Sequence, residues 1–282
     1  MTASDCNWTS GDPDAFKALE ASGWGERAET YDDLTGQVTA RVAEHLLDRA
    51  LVGPGMRVLD VATGPGHIAG RALARGARCT AIDIAPEMLA VARRRHPGLE
   101  LIEADADERL PFEDGCFDAV VGGFVLNHLP RPERSLAEFA RVLAPGGAGA
   151  FAVWDRPERM RVTGVIAEAI DEVGVERPPD LAGGPDPYRL ADDSEFARAL
   201  RAAGYDDVAV QTAALTQRVA GGDELWEGLL RSSVRASAEV GRQPPEVQRR
   251  IRSAFDRRLE PYRTDDGLEL PAVVKIGSGR KP

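Results

Sequence analysis

Apolar residues recur along this chain with two periods, and the period switches repeatedly between about residue 38 and residue 155. Val38, Val42, Leu46 and Leu47 fall on one face of a helix predicted over Val38–Leu51. Arg57–Ala62 is a short apolar run that ends in a glycine turn, and it predicts a strand. Ile68–Arg75 then reads as a helix, Arg78–Ile82 as a strand, and Pro86–Arg95 as a helix with Pro86 in its first turn. Leu99–Glu103 and Cys116–Val121 are strands. Pro132–Leu143 is a helix stopped by Pro145, Gly146 and Gly147, and Ala148–Trp154 is a strand. Upstream, the residues to about 14 read as loose, and Ala15–Ala50 as helices with a break near Thr30–Thr35. Downstream, Arg161–Val173 and Asp192–Ala203 are helical, with a Pro-, Gly- and Asp-rich loop at 177–187 between them. Asp207–Leu215 is a strand, Asp223–Val240 and Pro245–Leu259 are helices, and Leu268–Ile276 is a last strand.

Strands separated by helices of this length make an α/β fold with a mostly parallel sheet covered on both faces and right-handed crossovers. The reading is Rossmann-like, with seven strands, N-terminal helices and an inserted helical cap. It divides the chain into an N-terminal helical segment (1–54), an alternating strand–helix core (55–155) and a remainder (156–282) that ends the sheet. The cap falls in 156–190 and 223–262.

The stretch Val58-Leu-Asp-Val-Ala-Thr-Gly-Pro-Gly-His-Ile-Ala69 carries the candidate chemistry. A strand runs into Gly64-x-Gly66-x-x-Ala69, and a helix follows, so the backbone turns tightly and approaches a ligand closely. Asp83 ends the next strand, where a carboxylate accepts from both ribose hydroxyls; the competing reading is a capping or surface acid. Asp60 separates two kinds of nucleoside ligand. A dinucleotide holds its pyrophosphate at this turn, and a carboxylate would repel it. A ligand with a cationic amino acid portion is attracted instead. Asp60 also serves a plain loop-bracing role. Asp105 is placed to accept from an adenine amino group, with the Ala106 N–H donating beside it, or else it is a turn acid. Asp118 reads as a structural turn acid.

The series VLDVATGPG, AIDIAPEML, EADADERLPF, FDAVVGGFVLNHL and RVLAPGG resembles the class I S-adenosylmethionine (SAM)-dependent methyltransferases over residues 56–155. It is most similar to the group that holds the ubiquinone/menaquinone C-methyltransferases and many natural-product methyltransferases. The resemblance implies SAM as cofactor and S-adenosylhomocysteine (SAH) as its product. It implies that Asp60, Gly64 and Gly66 line the methionine portion, that Asp83 meets the ribose, and that Ala62 and Ile84 also contact the cofactor. Met88 would pack near adenine, and Asp105 and Ala106 would meet the adenine edge. Residues after the fourth strand, Gly122 to His128 and Phe124 among them, line the methyl position. Trp24 and Tyr31 match a segment that closes over the cofactor, with the Tyr31 ring or hydroxyl near the sulfonium. Simple helix packing is the alternative for both.

Methyl transfer needs an aligned nucleophile and, for some acceptors, a base. Four histidines are present. His45 lies on an N-terminal helix, His67 follows the glycine turn, and His96 at a helix end is expected to be exposed. His128 lies at the carboxyl edge of the sheet and is the first candidate for a general base; a structural imidazole is the alternative. Asn127, Arg156 and Trp226 are further substrate candidates. The acceptor reads as a small molecule, methylated on oxygen or carbon. N-methylation and a SAM-binding, non-methylating role stay open.

A formal charge of −11 disfavours nucleic acid as partner. The nine arginines between Arg231 and Arg263 are either a solvated face or an attractor for an acidic substrate. Cys6, Cys79 and Cys116 form no CxxC pair and share no ligand spacing with histidine, so neither a disulfide nor a metal site is expected. The first residues carry no basic-then-apolar leader, and no apolar run reaches membrane-spanning length. A cytoplasmic monomer or homodimer, with no membrane partner, is expected. No nucleophile elbow and no Walker lysine is found, so hydrolase and nucleotidase readings are weak.

Overall fold

The computed structural model describes residues 12–175 and 184–282. Cys6, the loose N-terminal start and most of the predicted 177–187 loop lie outside those residues. In chain order, two helices come first, α1 (Pro13–Arg27) and α2 (Thr35–Arg49). The alternating core is β1 (Arg57–Val61), α3 (His67–Ala74), β2 (Arg78–Asp83), α4 (Pro86–Arg95), β3 (Glu100–Glu103), β4 (Phe117–Gly123), α5 (Pro132–Val142) and β5 (Leu143–Trp154). Then come α6 (Arg161–Val173), α7 (Asp193–Ala202), β6 (Asp206–Val219), α8 (Gly222–Ser232), α9 (Val234–Gly241), α10 (Pro245–Leu259), β7 (Arg263–Thr264) and β8 (Gly267–Arg280).

The strands form one sheet in the order β3-β2-β1-β4-β5-β8-β6, with β7 paired to β8. The first five run parallel, and β8 is antiparallel to both β5 and β6. The strand order reverses between β1 and β4, so a crevice for ligand opens there at the carboxyl ends. Leu136 and Phe139 of α5, with Phe196 and Leu200 of α7, bury one face of the sheet. Leu46 and Leu47 of α2, with Ile68 and Ala72 of α3, bury the other. The helical period read over residues 38–51 has this cause.

The sheet has eight strands and not the expected seven. The extra one is the two-residue β7, which folds back onto the start of β8. β6 and β8 also run further than predicted, each 14 residues long, because they pair with each other over almost their whole length. The helix predicted over Asp223–Val240 is two helices. Ser233 is extended (φ −121°, ψ 124°), and its side chain accepts from the Ala236 N–H, so it ends α8 and caps α9. α6, α8, α9 and α10 share a second core with Leu34, Val38 and β8, built on Val165, Leu229, Val240 and Phe255. Among the described residues no helix is long and apolar enough to cross a membrane.

Phe151 of β5 lies at the centre of the first core, fully buried between Phe139 (5.6 Å between ring centroids) and Tyr205 (6.2 Å). Phe151→Ala is expected to destabilise the fold by about 3–5 kcal/mol in urea unfolding. A loss below about 1 kcal/mol would contradict this account of the core.

Candidate functional site

β1 ends at Val61, and the chain turns through Ala62, which takes a left-handed conformation (φ 52°). Gly64 (φ 55°) and Gly66 (φ 85°) complete the turn, and Gly66 opens α3. A Cβ on Gly64 would meet no atom within 4 Å, so the space beside this turn is open. At Gly66 the reason for glycine differs: a Cβ there would press on Ala92 and His96. The His96 ring packs against Gly66 and Gly70 and is half-buried, which corrects the expectation that it is exposed. It forms the back wall of the glycine turn.

Two acids sit under the turn. Asp60, wholly buried, accepts from Thr63 Oγ1 (2.6 Å) and the Ala69 N–H (3.0 Å), both on Oδ2. Its Oδ1 has no hydrogen-bond partner among the described residues. Burial, reinforced by nearby Asp83 and only partly offset by the Thr63 and Ala69 bonds, pushes the Asp60 carboxyl up to about 7. Asp83 accepts from the Gly64 N–H (2.8 Å) and the Ala85 N–H (2.9 Å). It is buried too, which raises it to about 6 against those backbone bonds. A buried acceptor without a donor beside an open glycine turn suits a cationic group, and a phosphate would meet two carboxyls there.

The N-terminal segment reaches the start of α3, where Asp32 lies 2.8 Å from His67 Nε2. Met88 of α4 is buried with Ala85 and Val91, and the rings of Trp24 and Tyr31 pack on them. Tyr31 donates to Thr39 Oγ1 (3.2 Å), and burial raises its phenol to about 12, so it keeps its proton at neutral pH. It offers a ring and a hydroxyl, not a base. Trp24 meets Tyr31 edge-on at 5.8 Å and His128 edge-on at 5.1 Å.

His128 follows β4 and a single turn of 3-10 helix. Its Nδ1 lies 3.0 Å from Glu20 Oε2, and the Trp24 Nε1–H donates to the same oxygen (2.8 Å). Phe124 takes a left-handed conformation (φ 68°) and stacks on Trp154 with centroids 3.8 Å apart. Left-handed φ at two non-glycine residues, Ala62 and Phe124, on the two strands flanking the crevice, is the kind of strain that binding sites hold. Asn127 donates from Nδ2 to the Pro187 carbonyl, while its buried Oδ1 has no partner among the described residues. Its own carbonyl accepts from Arg235 (3.1 Å).

Asp60, Ala62, Gly64, Gly66, Asp83, Ile84 and Met88 are thus gathered at and just past the ends of β1 and β2, while Trp24 comes from α1, Tyr31 from the turn between α1 and α2, and Phe124, Asn127 and His128 from the segment after β4. Gly122 is inside the packed sheet, where Val61, Val125 and Phe151 leave no room for a Cβ. Asp105 is bonded to its own loop through the Asp107 N–H and lies 3.0 Å from Lys17 Nζ of α1. Its neighbour Ala106 is buried. Arg156 is exposed and pairs with Asp192 (3.6 Å). Trp226 packs on Phe255 and under Arg252 inside the second core, so it is not brought to the site. Several arginines of the 231–263 stretch form ion pairs with neighbouring helices: Arg252 pairs with Asp223 of α8, and Arg257 and Arg258 pair with Glu172 of α6.

Glu20 and Lys17 escaped the sequence reading. The signal for Glu20 was present: with Phe16 and Gly23 it occupies the buried face of α1. An acid at a core-facing helical position asks for a partner.

Residues 59–151, about a third of the chain, match the family model described as a methyltransferase domain. A demethylmenaquinone methyltransferase of Thermus thermophilus is 47% identical over 134 residues, 44% of this chain and 60% of that protein. The chain spans between 38% and 60% of the length of the first such relatives it matches. Among solved structures, Haemonchus contortus phosphoethanolamine N-methyltransferase 2, in complex with phosphomonomethylethanolamine and SAH, superposes with a TM-score of 0.52 at 19% identity. That match covers 86% of this chain and 52% of the other. The cyclase SpnF superposes with a TM-score of 0.51 at 20% identity, over 86% of this chain and 80% of the other. The fold is thus shared with these solved structures, and residues 59–151 are similar to a methyltransferase domain. One fold holding a methyltransferase and a cyclase leaves the reaction to the site.

The raised carboxyls make a pH prediction. The folded protein without ligand keeps the Asp60 and Asp83 protons to higher pH than the unfolded chain does, so their contribution to stability falls as pH rises from about 4 to about 7. A ligand ammonium at Asp60 favours the ionised form. The rise in melting temperature caused by SAH is therefore expected to be larger at about pH 8 than at about pH 5.5. An equal or smaller rise at the higher pH would contradict the assignment.

Proposed function

We propose that this protein transfers the methyl group of SAM to an oxygen or carbon of a small phenol-, enol- or polyketide/isoprenoid-like acceptor. The observation that carries the reading is the partnerless, buried Asp60 Oδ1 beside the open Gly64–Gly66 turn. It selects a nucleoside with a cationic amino acid tail over one with a pyrophosphate. Asp83 has oxygen lone pairs left after its two backbone bonds, and these accept from the ribose hydroxyls. Met88, Tyr31 and Trp24 exclude water from the same side, and an aromatic wall favours a sulfonium. Asp105 and Ala106 are assigned to the adenine edge, which requires Lys17 to yield its hold on Asp105.

When bound, SAM supplies a methyl carbon that is already activated: the acceptor lone pair forms the new bond as the S–C bond breaks, its electrons stay on sulfur, and SAH leaves as a neutral thioether. His128 takes the proton that the acceptor loses. Phe124, Asn127 and Trp24 bound the acceptor position. Several of the matched relatives are demethylmenaquinone methyltransferases, which supports a quinone-like small-molecule acceptor.

Two measurements test this reading. Calorimetry should find SAH binding that Asp83→Asn weakens about tenfold to hundredfold, the effect of losing charge-assisted bonds to the ribose. Unchanged affinity would remove Asp83 from the site. With SAM present, SAH release should respond to hydroquinones and phenols and not to simple amines, and His128→Gln should lower kcat by about a hundredfold or more. Release with amines, or a fully active His128→Gln, would point to N-methylation or to proximity alone.

A further inference from the structure

Glu20 is buried, with 4% of its surface exposed, in the middle of a helix that could fold with an apolar residue there. Burying a carboxylate is costly unless donors meet it, and a well-packed apolar side chain is as good for stability. Three groups converge on it: His128 Nδ1 (3.0 Å), the Trp24 Nε1–H (2.8 Å) and the Arg235 guanidinium, whose Nε is 3.8 Å from Oε1. Burial opposes its ionisation, but His128, Arg235 and Trp24 together hold it below the usual carboxylate range. Glu20 is therefore an ionised acceptor, and it joins α1 to the loop after β4.

Two features turn this contact into a constraint on the imidazole. Trp24 binds the same carboxylate oxygen as His128 and also lies edge-on against its ring at an interplanar angle of 89°. The ring is thus held at one nitrogen and along one edge. His128 keeps 24% of its side chain exposed. An ionised carboxylate at Nδ1 selects the tautomer with hydrogen on Nδ1 and leaves the Nε2 lone pair bare.

We propose that Glu20 is a positioning residue that fixes His128 as the Nδ1–H tautomer, so that Nε2 removes a proton from the acceptor. The inference rests on the methyltransferase reading and sharpens it. The proton passes from the acceptor O–H to Nε2, the acceptor electron pair goes to the methyl carbon, and the resulting imidazolium is stabilised by Glu20, which stays ionised. A neutral amine attacks without prior loss of a proton and has no need of this pair. The site is built for an acceptor that is acidic at the reacting group, a phenol or an enol.

Nitrogen-15 NMR on the full-length protein tests this. With four histidines, His128→Gln identifies the His128 resonances by their disappearance. Wild-type neutral His128 should carry its hydrogen on Nδ1. Glu20→Gln should shift the tautomer ratio by about tenfold or more, as loss of a charge-assisted hydrogen bond would, and Glu20→Asp should restore part of it. Diethyl pyrocarbonate, followed by mass spectrometry, should acylate Nε2 of His128 more slowly in Glu20→Gln than in the wild type. A wild-type Nε2–H tautomer, or an imidazole that resists acylation, would overturn the proposal. If Glu20→Gln does not fold, those two wild-type results decide alone. SAH affinity of the wild type, measured in parallel, checks separately the reading on which the inference rests. Absent SAH binding in the wild type would sink the methyltransferase reading itself, whatever the tautomer.

Discussion

Two carboxyl groups lie buried at the carboxyl ends of neighbouring parallel strands, and much of the site is arranged to tolerate them. Asp60 is short of donors for its burial, and the neighbouring Asp83 adds to the cost of ionising it. The protein answers with backbone. The turn after β1 delivers the Gly64 N–H to Asp83, and the start of α3 delivers the Ala69 N–H to Asp60. That arrangement needs left-handed backbone at Ala62, Gly64 and Gly66. It satisfies the pair only in part, and the unmet acceptor on Asp60 is a standing demand for positive charge. A cationic ligand stabilises a site that is costly without it.

The second organising contact is longer in range. Glu20 on α1 and His128 after β4 are 108 positions apart, yet they and Trp24 form one bonded group. Through it the N-terminal helix is fixed over the crevice between β1 and β4. Lys17, one turn earlier on α1, reaches Asp105 after β3. One helix therefore touches both the residue assigned to the adenine edge and the candidate base. On the proposed assignment, a nucleoside rearranges the first of these contacts while the second holds the imidazole in place.

Local signals made the core legible. The alternation of periods gave the parallel strands, because strands buried on both faces read as continuous apolar runs. Val58-Leu-Asp-Val-Ala-Thr-Gly-Pro-Gly marked the turn and its acid, since strand, glycine and helix stand next to one another in sequence. The antiparallel end was less legible. β6 and β8 stabilise each other over 14 residues each, and that length comes from pairing, not from apolar content. Ser233 divides a continuous helical pattern with a cap whose strength depends on the turn it adopts. Contacts between distant segments were the least legible. Trp226 has the composition of a pocket residue, but the helices around it turn it into their own core. Glu20 left a trace as an acid on a buried helical face, and only the folded chain supplies its partner.

The most direct test of the central claim is a crystal structure of the protein with SAH. The account predicts the amino acid tail above Gly64–Gly66 with its ammonium toward Asp60, the ribose hydroxyls on Asp83, and Lys17 drawn away from Asp105. An adenosyl group bound elsewhere, or with its ribose away from Asp83, would contradict it.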